Sequence, residues 1–233
     1  KTISRFIMKI LAIIPARGGS KGILKKNLID VAGKPLIAWT IEAALNSKYI
    51  DTIVITSDNK EILKFSSSYE KVINIERPSS LAEDSSPTEP VISHVLETIK
   101  NASNYDYLIL LQPTSPLRTS EDIDAAIDLI SSSAATSLIS VTQLNHHPLK
   151  SFIKDEKGYL KGLVNNEYPF MPRQELPEAF QPNGAIYIVK VEEFLRNNKL
   201  FTEKTIEYLM PISNSIDVDS LDDVKKIEDQ LNN

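Results

Sequence analysis

The chain has 233 residues, 42% hydrophobic and 24% charged, with a formal net charge of −5. That suits one large globular domain with a sizeable core, and the acidic balance argues against a nucleic-acid partner. There is no cysteine, hence no disulfide and no thiolate metal site. No apolar run approaches the roughly 20 residues of a membrane span, and residues 1–7, which precede Met8, lack the apolar core of a signal peptide; the expectation is a cytoplasmic protein without a membrane segment.

Residues 10–15 form an apolar, β-branched run of buried-strand length. It breaks at Pro15 into Gly18, Gly19, Ser20 and Gly22, interspersed with Arg17, Lys21, Lys25 and Lys26. A strand that ends in such a loop reads as a phosphate receptor, because glycines let amide groups approach the oxygens and the cations offset their charge. The plainer alternative is a strand-to-helix turn with solvated lysines. The order Ser20-Lys21-Gly22 does not fit a Walker A loop, and the glycine spacing does not fit a dinucleotide fingerprint.

Apolar residues at 36, 37, 41, 44 and 45 predict a helix. A strand at 52–57, a helix at 59–67 and a short strand at 72–75 follow. Next come a helix at 90–99 with Pro90 near its first turn, a buried strand at 107–111, a helix from Ser120, its expected cap, to residue 131, and a strand at 138–141. The rhythm stops between Gln143 and Pro182, which reads as a hairpin-like insertion. It resumes with a strand at 185–189, a helix at 191–196, a strand at 206–210 and a helix at 221–231. This order predicts an α/β fold with a mostly parallel sheet and helices on both faces.

Ligands of such sheets bind beyond the carboxyl ends of the strands. The loops there, 17–27, 57–58, 77–88, 112–118 and 217–219, carry Arg, Lys, Ser, Thr, Gln and Asp, the inventory for a phosphorylated, hydroxyl-rich ligand with a hard metal ion. Asp217 and Asp219 are spaced so that an extended segment turns both carboxylates to one side, as two-point Mg²⁺ coordination requires. Alternatively, Asp219 or Ser220 caps the last helix. Arg118 reads equally as a ligand contact or as a structural tie. His146 and His147 are adjacent, which favours a turn or a subunit contact over joint metal binding.

Several motifs occur in a fixed order: Ile13-Ile-Pro-Ala-Arg-Gly-Gly-Ser-Lys-Gly22 with Lys26-Asn27-Leu28, Gly33-Lys34-Pro35-Leu36-Ile37, Arg77-Pro78 with Leu81-Ala82 and Asp84, and Leu110-Leu-Gln-Pro-Thr-Ser-Pro-Leu-Arg118. His147-Pro148, Pro172-Arg-Gln-Glu-Leu-Pro177, Pro182-Asn-Gly-Ala-Ile-Tyr-Ile188 and Ser215-Ile-Asp-Val-Asp219 complete the series. Over nearly the whole chain they resemble the CMP-sialic acid synthetases, the acylneuraminate cytidylyltransferases. The resemblance implies a three-layer nucleotide-binding fold, with 8–142 and 183–233 as the nucleotidyltransferase domain and 143–182 as an inserted dimerisation arm. It implies a homodimer that moves CMP from CTP to a nine-carbon 2-keto sugar acid (a nonulosonic acid) with Mg²⁺, each arm helping to close the partner's site.

Carried over to this sequence, the resemblance puts Arg17, Lys21, Lys26 and Asp217 in catalysis. It puts Ala16, Arg17, Gly18, Lys26, Asn27, Arg77, Asp84 and Thr88 on the nucleotide, Gln112, Lys150, Arg173 and Asn183 on the sugar, and Asp217 and Asp219 on the metal. Asn183 also reads as a turn former. Gln181 departs from the pattern, since several sialate-specific members have arginine there, and this leaves legionaminic or pseudaminic acid open as the sugar. An eight-carbon 2-keto acid as acceptor, or a non-catalytic nucleotide-binding module, are the competing readings.

Overall fold

The computed structural model describes residues 8–83 and 86–232. In chain order the elements are β1 (Ile10–Pro15), the short pair β2 (Asp30–Val31) and β3 (Lys34–Pro35), α1 (Leu36–Asn46), β4 (Thr52–Ser57), α2 (Lys60–Ser66), β5 (Val72–Glu76), α3 (Thr88–Thr98), β6 (Tyr107–Leu110), α4 (Ser120–Ser131) and β7 (Ser137–Gln143). They continue with β8 (Phe152–Lys154), β9 (Leu160–Gly162), β10 (Phe180–Lys190), α5 (Val191–Asn197), β11 (Thr205–Leu209) and α6 (Leu221–Leu231).

The central sheet has seven strands in the order β11-β7-β10-β6-β1-β4-β5. Its pairings are parallel except for the two made by β10. β1 lies inside the sheet and is buried on both faces, which is why its sequence is continuously apolar instead of alternating. Ile10, Ala12 and Ile14 face a core with residues of α1, α2 and α4, while Leu11 and Ile13 face the layer of α3 and α5. A third cluster sets Val224 and Ile227 of α6 against Ile23, Val31, Leu36 and Leu117, so α6 seals the end of the sheet beside the glycine-rich loop. The three-layer α/β architecture expected from the sequence is present.

Three differences from the sequence reading have physical causes. The α4 cap is Thr119, not Ser120: its side chain accepts from the Asp122 amide while Asp122 reaches back to the Thr119 amide. The β2–β3 hairpin was not expected, since two-residue strands carry no periodicity; its turn places Ala32 and Gly33 at positive φ. β10 is longer than the expected strand at 185–189 and starts inside the expected insertion. Pro182 pairs with Val141 and Tyr187 with Ile139, so residues 183–186 bulge out of the ladder. Pro182, Asn183 and Gly184 look like a turn in sequence because they form an interruption within a strand.

The excursion between β7 and β10 contains the two-stranded β8–β9 hairpin, separate from the main sheet, and short turns at Pro148–Lys150, Tyr168–Phe170 and Arg173–Glu175. Its two ends are register partners, Gln143 with Phe180. The arm leaves Tyr159, Leu160, Val164 and Phe170 open to solvent, Phe170 at 79% of its surface.

Candidate active site

A cleft of about 310 Å³ lies beyond the carboxyl ends of β1 and β6. The chain runs from β1 to β4 on one side and later places β6 on the other, so this is the switch point where open α/β sheets bind ligands. Arg17, Lys26, Asn27, Arg77, Thr88, Gln112, Asp217 and Asp219 all line it. Gly19 and Ser20 of the expected phosphate loop join them, as does Thr114, to which the sequence reading gave no role of its own. Asp84 lies outside the described residues.

The glycine-rich loop is shaped by the loop after β4. The Gly18 amide donates to Asp58 Oδ1 at 2.9 Å. A Cβ on Gly18 would sit 2.7 Å from Asn59, whose own side chain caps α2, so a larger residue is excluded by close approach. Asn27 is buried and donates to the Arg17 carbonyl at 2.9 Å, which closes the loop from the other end. Thus Asn27 combines a place on the cleft wall with a loop-closing bond. Lys21 is exposed, and Ala16 is buried behind the wall.

Arg77 is 6% exposed. Its amide donates to the Ser57 carbonyl at 2.8 Å, and its Nη2 lies 3.9 Å from Asp58 Oδ1. Nε and Nη2 have no hydrogen-bond partner. Burial lowers the pKa of this guanidinium; Asp58 opposes the shift and Arg17 adds to it. A buried arginine with unused donors on a cleft wall is built to receive an acceptor-rich ligand.

Across the cleft, Val218 is fully buried and its amide donates to the Thr114 carbonyl at 2.8 Å. This docking turns both flanking residues, Asp217 and Asp219, to the cleft. Asp217 Oδ1 is buried without a hydrogen-bond partner. Desolvation raises the Asp217 pKa, a hydrogen bond from Thr114 lowers it, and the charge of Asp219 raises it further. Lys26 Nζ donates to the Val218 carbonyl at 2.8 Å and to Asp219 Oδ1 at 3.1 Å. The cap of α6 is Ser220, in a reciprocal box with Asp223 that pulls the Asp223 carboxyl down to about 2. Capping therefore does not use the Asp219 side chain, whose partner is Lys26. Among the described residues no three His, Cys, Asp or Glu side chains group as metal ligands. Two carboxylates, one with an orphaned buried oxygen, fit a hard cation that takes its remaining oxygens from a phosphorylated ligand.

The third wall is the loop after β6. Gln112 projects against the β10 bulge, where a Cβ on Gly184 would meet Gln112 Oε1 at 2.8 Å and Asp217 Oδ1 at 3.9 Å. Gly184 also has φ +75°, which favours glycine by backbone conformation, while the Gln112 tip is the side chain that would have to give way to a Cβ. Asn183 is fully engaged inside the protein. Its Oδ1 accepts from Ser140 Oγ at 2.6 Å and the Ala185 amide at 3.2 Å, and its Nδ2 donates to Ser215 Oγ at 2.9 Å. These bonds hold the β10 bulge in place. Arg118 is 2% exposed, and its contacts run to protein groups only: Gln112 O, Ala185 O and Thr40 Oγ1.

Lys150 and Arg173 bond within the arm and its root, Lys150 Nζ to the Met171 carbonyl and Arg173 Nη2 to the Leu144 carbonyl at 2.9 Å. Within one chain they are not brought to the cleft wall. His147 Nδ1 accepts from the Leu149 amide, capping the turn at Pro148–Lys150 as a structural residue.

Residues 11–229 match the family model described as cytidylyltransferase. The chain belongs to the cytidylyltransferase family. It is 34% identical over 217 residues to the N-acylneuraminate cytidylyltransferase of Streptococcus agalactiae, an overlap of 93% of this chain and 52% of that protein. It thus spans about half the length of that relative. The pseudaminic acid cytidylyltransferase of Campylobacter jejuni is 29% identical over 94% of both chains, and the CMP-N,N'-diacetyllegionaminic acid synthase of Legionella pneumophila is 34% identical over 91% of this chain and 92% of its own. In fold, the chain is similar to a CMP:2-keto-3-deoxy-manno-octonic acid synthetase solved with CTP, with a TM-score of 0.70 at 16% identity over 96% of this chain and 98% of that one. No helix of the described residues is long and apolar enough to cross a membrane.

Proposed function

We propose that the protein transfers CMP from CTP to the anomeric hydroxyl of a nine-carbon 2-keto sugar acid and releases pyrophosphate. One observation carries this reading. A single cleft is lined by a buried arginine with unused donors, Arg77, by Asp217 with an orphaned carboxylate oxygen, and by the cationic Arg17 and Lys26. That is a cradle for a nucleoside triphosphate beside a divalent cation. Names borne by relatives that this chain matches nearly end to end, for pseudaminic and legionaminic acids, favour a nine-carbon acceptor.

Within one chain, the proposed roles are limited to residues that line the cleft. Arg17 and Lys26 bind the triphosphate and stabilise charge on the departing pyrophosphate. Arg77 and Thr88 hold the nucleoside side, and Gln112 orients the acceptor, so that the reaction is carried by positioning and charge stabilisation. Asp217 and Asp219 are the residues that would hold Mg²⁺, which when bound supplies positive charge to the phosphates. The working form is a homodimer, because the arm's exposed Tyr159, Val164 and Phe170 suit burial against a second copy. Lys150 and Arg173 then serve the neighbour's acceptor pocket.

The deciding experiment incubates the protein with CTP, Mg²⁺ and a panel of sugar acids: N-acetylneuraminic, N,N'-diacetyllegionaminic, pseudaminic and an eight-carbon 2-keto acid. Pyrophosphate release with a nine-carbon acid is expected. Turnover of the eight-carbon acid alone overturns the acceptor assignment. Binding of CTP without turnover of any acceptor overturns the enzyme reading.

A further inference from the structure

Arg118 is nearly sealed from solvent, yet the groups that receive its hydrogen bonds are neutral. Nη1 donates to the Gln112 carbonyl at 3.2 Å and the Ala185 carbonyl at 3.0 Å, Nη2 donates to Thr40 Oγ1 at 2.6 Å, and Nε has no partner. Burial pushes its pKa down to about 9, and the charge of Asp122 offsets this only in part. A buried cation kept this way is a poor device for stability, because desolvation outweighs what neutral acceptors return. What the three bonds fix is geometry. A rigid planar fork joins the exit of β6 at Gln112, the β10 bulge at Ala185 and the α1 helix at Thr40. Two of these three carry the wall on which Gln112 Oε1 lies against Gly184, beside Asp217.

We propose that Arg118 is a positioning residue for the acceptor half of the cleft, setting the distance between Gln112 and the Gly184–Ala185 bulge without touching either substrate. The proposal rests on the acceptor reading given above. The nucleotide half has its own anchor, because Asp58 holds the Gly18 amide and faces Arg77. The two halves therefore respond separately to mutation.

The test uses Arg118→Lys, which keeps a cation but replaces the fork with a point charge, and Thr40→Val, which keeps the arginine and removes one acceptor. Kinetics are measured with CTP and the sugar acid that turns over best. For Arg118→Lys, kcat/KM for the sugar acid should fall at least about tenfold, as a small misplacement of reacting groups would produce, while calorimetric CTP binding stays within about twofold. Thr40→Val should shift the same constant less, and it remains informative if the lysine variant folds poorly. Amide exchange should quicken at 112–118 and 183–187 and stay unchanged at 17–27. An unchanged kcat/KM for the sugar acid, an equal loss of CTP affinity, or equal quickening at 17–27 overturns the proposal. A wild-type protein that turns over no sugar acid overturns the functional reading instead, and the exchange comparison still decides whether Arg118 holds this half of the cleft.

Discussion

Lys26 Nζ stands 3.1 Å from Asp219 Oδ1, so a lysine assigned to phosphate and an aspartate assigned to metal are bonded to each other. On the proposed function, a cation held by Asp219 would compete with Lys26, and the released ammonium would become available to the phosphates. Lys26→Met should therefore enlarge the thermal-melting shift given by Mg²⁺ alone, since a ligand bound more tightly by the native state stabilises it more. It should also lower kcat by about 10²-fold through lost charge stabilisation. A Mg²⁺ shift smaller than in the wild type would show that the pair does not compete with the metal.

Asp217 gives a pH-dependent prediction. Its pKa is raised in the folded state, mainly by desolvation, so the native protein binds that proton more tightly than the unfolded chain does. The stabilising contribution is complete below the unfolded carboxyl pKa and is lost as pH rises through the folded one. Asp217→Asn should accordingly melt higher than wild type at neutral pH, with the gain shrinking as pH falls into the carboxyl range. The same variant should lose about 10²-fold or more in kcat. A lower melting temperature at neutral pH would refute the desolvation argument.

Asp58 separates hydrogen bonding from charge. Asp58→Asn keeps an acceptor for the Gly18 amide but removes the charge 3.9 Å from Arg77, whereas Asp58→Ala removes both. CTP affinity by calorimetry should fall in the order wild type, asparagine, alanine, with the alanine variant down by about tenfold, in line with a charge-assisted hydrogen bond. Equal affinities across the series would remove Asp58 from the nucleotide site.

Gly184→Ala should act through a neighbour. The new Cβ would press on Gln112 Oε1, and the positive φ adds strain of about 1 kcal/mol. Combining it with Gln112→Ala should restore part of the lost stability, because the collision disappears while the backbone strain remains. Additive melting shifts in the double mutant would place the two groups apart.

The arm prediction has two readouts. Phe170→Glu should convert a dimer to monomers on size-exclusion chromatography with light scattering. Mixing inactive Lys26→Ala and Arg173→Ala proteins under subunit exchange should restore partial activity, since one mixed site then holds both native residues. Exchange confirmed by mass without recovery would confine Arg173 to its own chain.

The parts of the fold most visible in sequence are those with one dominant signal. β1 and β4 were bounded correctly because fully buried strands read as unbroken apolar runs. The cleft followed from taking the loops after parallel strands as one place. Long-range side-chain choices were not visible in that way. Nothing local announces that Lys26 will reach Asp219, 193 residues on, or that Arg118 will turn into the core instead of toward ligand. Asp58 had a weak signal, its place immediately after β4, but not the Gly18 bond that gives it a role. Gly184 was visible as a glycine but not as one placed between Gln112 and Asp217.

Because Gln143 and Phe180 face each other across the ladder, the chain departs and returns at one spot, with its ends clamped about 5 Å apart by the sheet itself. Whatever lies between them can be shortened, enlarged or replaced by a relative's segment without shifting the register of any central strand. The arm is thus a cassette. On the proposed homodimer, subunit recognition, together with the part of acceptor choice that depends on it, would be able to diverge between lineages while the nucleotide machinery stays unaltered.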